Sequence, residues 1–200
     1  NSGIGLATAQ RLKQEGAHVI ITARNQDSYQ KAIKEFGSEF DIQKADVMNL
    51  SELDQLYSYI KNKYKKLDIV FANAGVALFR PTSDVDTSFF DLQFNTNVKG
   101  LYFTVAKALP LMNSNSAIIL NSSVVNNKGV AGASVYAATK AAVKSFAKSW
   151  TAEIPPSHIR FNVLSPGPIE TPIYDKLGLP AEQVKMFGDQ MISSTPMKRF

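Results

Sequence analysis

The sequence predicts an α/β fold: a parallel, doubly wound sheet with helices on both faces. Two observations predict it. Five short apolar segments of strand character alternate with segments of helical periodicity, and Gly3 and Gly5 stand at the entry of the first helix. Strands that alternate with helices run parallel, are buried on both faces and are joined by right-handed crossovers. The result is a three-layer α/β/α, Rossmann-like sheet whose ligands sit beyond the carboxyl ends of the strands. With 200 residues, 44% of them apolar, residues 1–200 read as a single domain with a sizeable core.

Each element follows from its residues. LATAQRL continues the helix that the glycines open. AHVIITA (17–23) is a β-branched run closing on polar ARNQ, hence a strand. A helix follows from Gln26 to Phe36, ended by Gly37, and FDIQKAD (40–46) is a short strand. Ser51 is expected to cap the next helix with Asp54 as an imperfect capping-box partner, and Leu53, Leu56, Ile60 and Tyr64 recur at helical spacing. LDIVFA (67–72) is a buried-type strand, residues 87–112 a long helical region, and SAIILN (116–121) another buried strand. A helix over 134–152 and the strand IRFNVL (159–164) complete the alternation, and the tail holds Pro-punctuated loops and an amphipathic segment at 181–192. No repeat, low-complexity segment or linker divides the chain.

No strand precedes the glycines. In the doubly wound order 3-2-1-4-5-6 that strand is the central one, and a sheet without it has unpaired backbone on both sides of a gap. The chain also begins without Met and without the charged and apolar regions of a signal peptide. The expectation is therefore that the natural chain carries a further strand and glycine turn before Asn1 and continues past Phe200, the first and last strands of the sheet lying outside this sequence.

Composition removes several classes of function. There is no Cys, which excludes disulfides, thiol nucleophiles and thiolate metal sites. No apolar run approaches the ~18 residues of a membrane span. The net charge of +5 is carried by scattered Lys and Arg, which suits anionic small molecules rather than nucleic acid. His18 and His158 are isolated, so no metal site is expected. Trp150 reads as packing or a subunit contact, and the sequons at Asn49 and Asn121 as chance in a cytoplasmic protein.

Glycines at a helix entry let backbone approach a pyrophosphate, which the helix N-terminus favours electrostatically. The following strand ends about twenty residues later, where Rossmann proteins read the adenosine ribose. Sites for NAD usually carry an acid there; here Ala23 takes that position and Arg24 follows. An Arg can pair with a ribose 2′-phosphate that an acid would repel, so NADP(H) is preferred over NAD(H).

Tyr-x-x-x-Lys occurs three times: Tyr57/Lys61, Tyr59/Lys63 and Tyr136/Lys140. Only the third is preceded, thirteen residues earlier, by a hydroxyl residue at the end of a buried strand, Ser123. The strand end and the helix bring Ser123, Tyr136 and Lys140 to one side of the sheet, the last two on one helix face. At the corresponding distance the other pairs have Lys44 and Asp46, and Lys61 and Lys63 read as solvated charges.

These motifs resemble the short-chain dehydrogenase/reductase family over essentially the whole chain. The markers are NSGIG at the N-terminus, Asp46-Val47, the NAG triplet (73–75), NVKG (97–100), Ser123, YAATK (136–140) and the Pro-Gly at 166–167. The resemblance implies an oxidoreductase that interconverts a carbonyl and a secondary alcohol with NADP(H). Tyr136 would be the general acid/base, and Lys140 would lower the phenol pKa from its free value of ~10. Ser123 would hydrogen-bond the substrate oxygen, and Asn97 would hold a water that extends the proton relay. For the cofactor, the resemblance implies Ser2, Gly3, Ile4 and Gly5 at the pyrophosphate, with Arg24 and Asn25 at the ribose phosphate. It places Asp46 and Val47 at the adenine, and Asn73, Ala74 and Gly75 along the dinucleotide. Tyr136 and Lys140 lie at the nicotinamide ribose, with Pro166, Gly167, Ile169 and Thr171 at the nicotinamide and phosphate. It further implies a substrate lid over 173–198, whose mixed apolar and polar character suggests a small or medium apolar carbonyl substrate, and a homodimer or homotetramer formed through 96–112 and 134–152. Two other readings stay open: a catalytically silent dinucleotide-binding regulator, and an epimerase or dehydratase on the same scaffold.

Overall fold

The structure, a computed structural model, describes residues 1–155, 158–172 and 181–199. In chain order the elements are α1 (Gly3–Gln14), β1 (Ile20–Ala23), α2 (Gln26–Phe36), β2 (Asp41–Lys44), α3 (Leu50–Lys63), β3 (Leu67–Ala72) and α4 (Thr87–Phe94). A π-helical turn, Asn95–Gly100, leads into α5 (Leu101–Ala108), followed by β4 (Met112–Asn121), α6 (Ser134–Glu153), β5 (Ile159–Leu164) and α7 (Ala181–Ser194). All five expected strands are present, although β1 is limited to its last four residues.

The strands pair in parallel. β1 runs beside β2 from Ile20↔Asp41 to Ala23↔Lys44. β4 lies between β3 and β5, with Ile118 opposite both Val70 and Phe161. The β1–β2 pair and the β3–β4–β5 sheet share no ladder hydrogen bonds. Successive strand residues face opposite sides, and β1 separates two cores accordingly. Ile21 packs with Ala9 of α1, Ala32 of α2, Phe40 and Ile42. Ile20 packs against the larger cluster, in which Leu53 and Ile60 of α3, Val105 of α5 and Val143 and Ala147 of α6 meet Val70, Ile118 and Leu120 of the strands. Helices thus cover both faces, as the alternation requires.

Two local expectations are corrected. The cap of α3 is Asn49, whose side chain accepts from the N–H groups of Ser51 and Glu52; Ser51 lies within the first helical turn. Asp54 instead pairs with Lys107 of α5. The helical region expected to run to residue 112 ends at Ala108, passes through a tight turn at Leu109–Leu111 and enters β4 at Met112. Pro110 accounts for this, because proline lacks the N–H an α-helix needs and clashes with the preceding turn. At two other helix starts, Asn25 and Ser28 form a reciprocal capping box for α2, and Asp86 caps α4 through the N–H of Phe89.

The two other Tyr-x-x-x-Lys pairs are structural. Tyr57 is buried and its hydroxyl donates to the carbonyl of Thr104 at 2.6 Å. Lys63 is not merely solvated: its ammonium donates to Asp41 Oδ2 at 3.0 Å and to the Tyr59 hydroxyl at 2.8 Å. The hydroxyls of Tyr59 and Tyr64 also donate to Asp41 Oδ2, each at 2.7 Å, so α3 is fastened to the first residue of β2.

Candidate active site

The third pair lies on α6, at the carboxyl end of β4. Lys140 is 4% exposed, and its Nζ donates to the main-chain carbonyl of Asn121, the last residue of β4, at 2.8 Å. The same nitrogen lies 5.7 Å from the centre of the Tyr136 ring. Burial pushes the Lys140 ammonium down to about 8. Ser122 Oγ donates to the carbonyl of Lys140 at 2.8 Å, a second tie between the strand end and the helix. Ser123 follows directly and opens the short turn Val124–Asn126, its Oγ accepting from the N–H of Val125 at 3.4 Å. Ser123 thus directly follows the residue that ties the strand end to α6, the helix that carries Tyr136 and Lys140. The ring of Phe79 stands 6.0 Å from that of Tyr136.

Asn97 sits in the π-helical turn and is fully buried. Its Oδ1 accepts from the N–H of Val76, and its Nδ2 donates to the carbonyl of Val76 and to Thr139 Oγ1, at 2.8, 2.8 and 3.1 Å. Both donors of the side-chain amide are thereby spent. Asn97 thus holds the segment after the NAG triplet against α6. Gly75 makes the approach feasible, since a Cβ there would lie 3.0 Å from Asn97 Oδ1 and 3.6 Å from Lys140 Nζ.

Of the expected dinucleotide residues, Asn73 and Thr171 stand against the glycines at the start of α1. Gly3 adopts φ +52°, a left-handed conformation suited to glycine. A Cβ on Gly3 would lie 3.3 Å from Thr171 Cβ, and one on Gly5 would lie 2.6 Å from Asn73 Nδ2. Asn73 Oδ1 in turn accepts from Asn121 Nδ2 at 2.8 Å. Ser2 precedes the helix in extended conformation with no side-chain cap, and Ile4 is half-buried behind it. Arg24 is exposed immediately after β1 and makes no ion pair among the described residues. Asn25 spends its side-chain oxygen on the α2 cap. Asp46 uses Oδ1 to accept from the N–H of Met48, a turn-forming role, while Val47 packs on Gly100, where a Cβ would lie 2.8 Å from Val47 Cγ2. Ala74 is exposed beyond β3. After β5, the carbonyl of Pro166 accepts from the N–H of Val124 at 3.0 Å. A Cβ on Gly167 would meet open space, and Ile169 is 44% exposed.

A cleft of about 530 Å³ touches Gly3, Ile4, Ile169 and Thr171 and extends down α1 to Leu12. It meets the candidate residues only at its upper end. Closer to Lys140, Asn121 Oδ1 is a buried acceptor with no donor among the described residues. The glycine cradle under Asn73 and Thr171, together with this open acceptor, fits a dinucleotide laid across the strand ends. The lid expected over 173–198 falls in part on 173–180, outside the described residues; α7 occupies most of the remainder.

Sequence reasoning did not single out Ser122, Thr139 or the structural role of Asn121. Asn121 carried a usable signal, a polar residue ending an apolar strand. Ser122 and Thr139 carried none, because their importance lies in partners eighteen and forty-two residues away. Trp150 takes the packing role, buried against Tyr102, Phe146 and Phe161.

The sequence model of a family described as enoyl-(acyl carrier protein) reductase matches residues 1–200. An oxidoreductase of Sarocladium schorii, asL5, is 39% identical over 200 residues, covering 99% of this chain and 78% of the relative. Among solved structures, a short-chain dehydrogenase/reductase of the glucose/ribitol dehydrogenase type from Brucella melitensis superposes with a TM-score of 0.88 at 24% identity, covering 100% of this chain and 79% of the other, and supports the fold. ElxO, solved with NADP bound, gives a TM-score of 0.85 at 26% identity, covering 100% of this chain and 82% of the other.

Proposed function

The chain belongs to the short-chain dehydrogenase/reductase family of oxidoreductases, and from that premise we propose that it transfers a hydride between NADP(H) and a carbonyl or secondary-alcohol substrate, with Tyr136 as general acid/base. The observation that carries this reading is the placement of Lys140. A buried ammonium, held by the carbonyl of Asn121, lies 5.7 Å from the Tyr136 ring.

A nearby cation favours the phenolate and so lowers the barrier for Tyr136 to exchange its proton. In the reductive direction Tyr136 donates the hydroxyl proton to the carbonyl oxygen as that oxygen gains charge. Ser123 Oγ donates a hydrogen bond to the same oxygen and fixes its position. Lys140 holds its charge beside the resulting phenolate, and Asn97, anchored to Val76 and Thr139, keeps the surrounding loop in register. The nicotinamide, when bound, supplies or accepts the hydride.

Ser2, Gly3, Ile4 and Gly5 would face the pyrophosphate, with Asp46 and Val47 at the adenine and Asn73, Ala74 and Gly75 along the dinucleotide. Tyr136 and Lys140 would hold the nicotinamide ribose, and Pro166, Gly167, Ile169 and Thr171 the nicotinamide end. The preference for NADP(H) rests on exposed Arg24 and its neighbour Asn25, where Ala23 replaces an acid; the NADP bound to ElxO is consistent with it. A cytoplasmic homodimer or homotetramer assembled through 96–112 and 134–152 belongs to the same proposal. It is supported by Tyr102, 38% exposed beside Phe146 and Trp150, and is checked by sedimentation velocity.

The test is Tyr136→Phe, assayed by NADPH oxidation over a broad panel of ketones and aldehydes. The variant is expected to lose turnover while NADPH binding stays largely intact. Surviving turnover would refute the assignment.

A further inference from the structure

The side chain of Ser123 has little holding it directly. Its Oγ accepts one long bond, 3.4 Å from the N–H of Val125, within its own turn. What fixes the turn is a cross-tie from Asn126. Its Nδ2 donates to Ser122 Oγ at 3.0 Å and to Ser165 Oγ at 2.9 Å, so both N–H groups of one amide are spent on hydroxyls in separate segments. Ser122, 3% exposed, passes its own proton to the carbonyl of Lys140 at 2.8 Å. One chain of hydrogen bonds therefore runs from the loop after β5, through Asn126 and Ser122, to α6 at Lys140. Two main-chain bonds, Ser122 N–H to Leu164 O at 2.8 Å and Val124 N–H to Pro166 O at 3.0 Å, run alongside it.

The direction of these bonds limits what can stand at 126. The single hydroxyl proton of Ser122 is committed to Lys140, so its remaining capacity is as an acceptor. A donor is needed opposite it, and an isosteric carboxylate supplies none. An acceptor there would either turn the Ser122 proton away from Lys140 or leave oxygen facing oxygen.

We propose that Asn126 is a positioning residue, which fixes Ser123 and the Ser165–Gly167 loop relative to the Tyr136–Lys140 helix. The inference rests on the reading of Ser123, Tyr136 and Lys140 given above, and it acts on substrate alignment. A displacement of about 1 Å at a reacting group can cost on the order of a hundredfold in rate.

The experiment compares Asn126→Asp and Asn126→Ala with the unmodified protein in three measurements. These are kcat and KM for the fastest-reduced member of the carbonyl panel, NADPH affinity by fluorescence titration, and cofactor-free amide hydrogen exchange. For Asn126→Asp, kcat is expected to fall roughly tenfold to a hundredfold with NADPH affinity within about twofold. Exchange is expected to quicken together in 122–127 and 164–167, while 143–153 stays protected. Asn126→Ala should behave similarly. Unchanged kinetics in Asn126→Asp, or loosening of only one of the two loops, would overturn the proposal. So would equal losses of kcat and NADPH affinity with exchange raised throughout α6, the pattern of a general stability defect. Should the unmodified protein reduce no carbonyl, the catalytic reading fails separately, and the paired loosening of the two loops decides whether the cross-tie exists.

Discussion

Lys140 donates from Nζ to the main-chain carbonyl of Asn121 at 2.8 Å, and this one bond sets a buried cation at the carboxyl end of β4. Its 4% exposure leaves water little part in stabilising the charge. A buried ammonium favours its neutral form, which is why its pKa falls to about 8 from 10.5.

Rate and stability should both report that titration. Reduction needs the charged lysine and a protonated Tyr136, so kcat/KM for carbonyl reduction should fall as pH rises through about 8. The stability effect has the opposite sense. Between about 8 and 10.5 the unfolded chain holds a proton on Lys140 that the folded chain has released, so folding gains as pH rises across that window. Relative to Lys140→Met, the unmodified protein should gain up to about 3 kcal/mol between those limits, read from urea unfolding at stepped pH. A flat difference would show that Lys140 titrates normally.

Arg24 should decide cofactor choice. It stands exposed between Ala23 of β1 and the Asn25 cap of α2, where a 2′-phosphate would lie. Arg24→Asp removes a charge-assisted partner and adds a repelling one. The Kd for NADPH should rise roughly tenfold to a hundredfold while that for NADH changes little. Equal effects on both cofactors, measured by fluorescence titration, would refute the preference.

Asp41 should govern acid stability without touching catalysis. It lies at the first residue of β2, the end opposite the candidate site. Burial alone would raise its pKa, but hydrogen bonds from Tyr64, Tyr59, Gln43 and Lys63 outweigh that and lower it to about 2. The folded pKa is below the unfolded value of 3.8, so the stabilisation is complete above 3.8 and is lost as pH falls toward 2. Relative to Asp41→Asn, the unmodified protein should lose about 1–2 kcal/mol over that interval after allowance for solvent screening. At neutral pH the variant should turn over substrate at the unmodified rate.

The sequence by itself determined the alternation of strands and helices, because burial on both faces of a parallel sheet imposes a continuous apolar run that local pattern reveals. It also picked out Ser123, Tyr136 and Lys140 as the candidate set, since a strand end and two residues one helical turn apart are short-range facts. Tertiary structure decided what depends on partners distant in the chain. The Tyr57 hydroxyl found Thr104 and Lys63 found Asp41, so two look-alike pairs became fasteners. The amide of Asn97 was taken up by Val76 and Thr139, and that of Asn126 by Ser122 and Ser165. Nothing local identifies the partners these side chains take. A hydrogen bond gains its worth from a particular donor meeting a particular acceptor, and folding alone brings the two together.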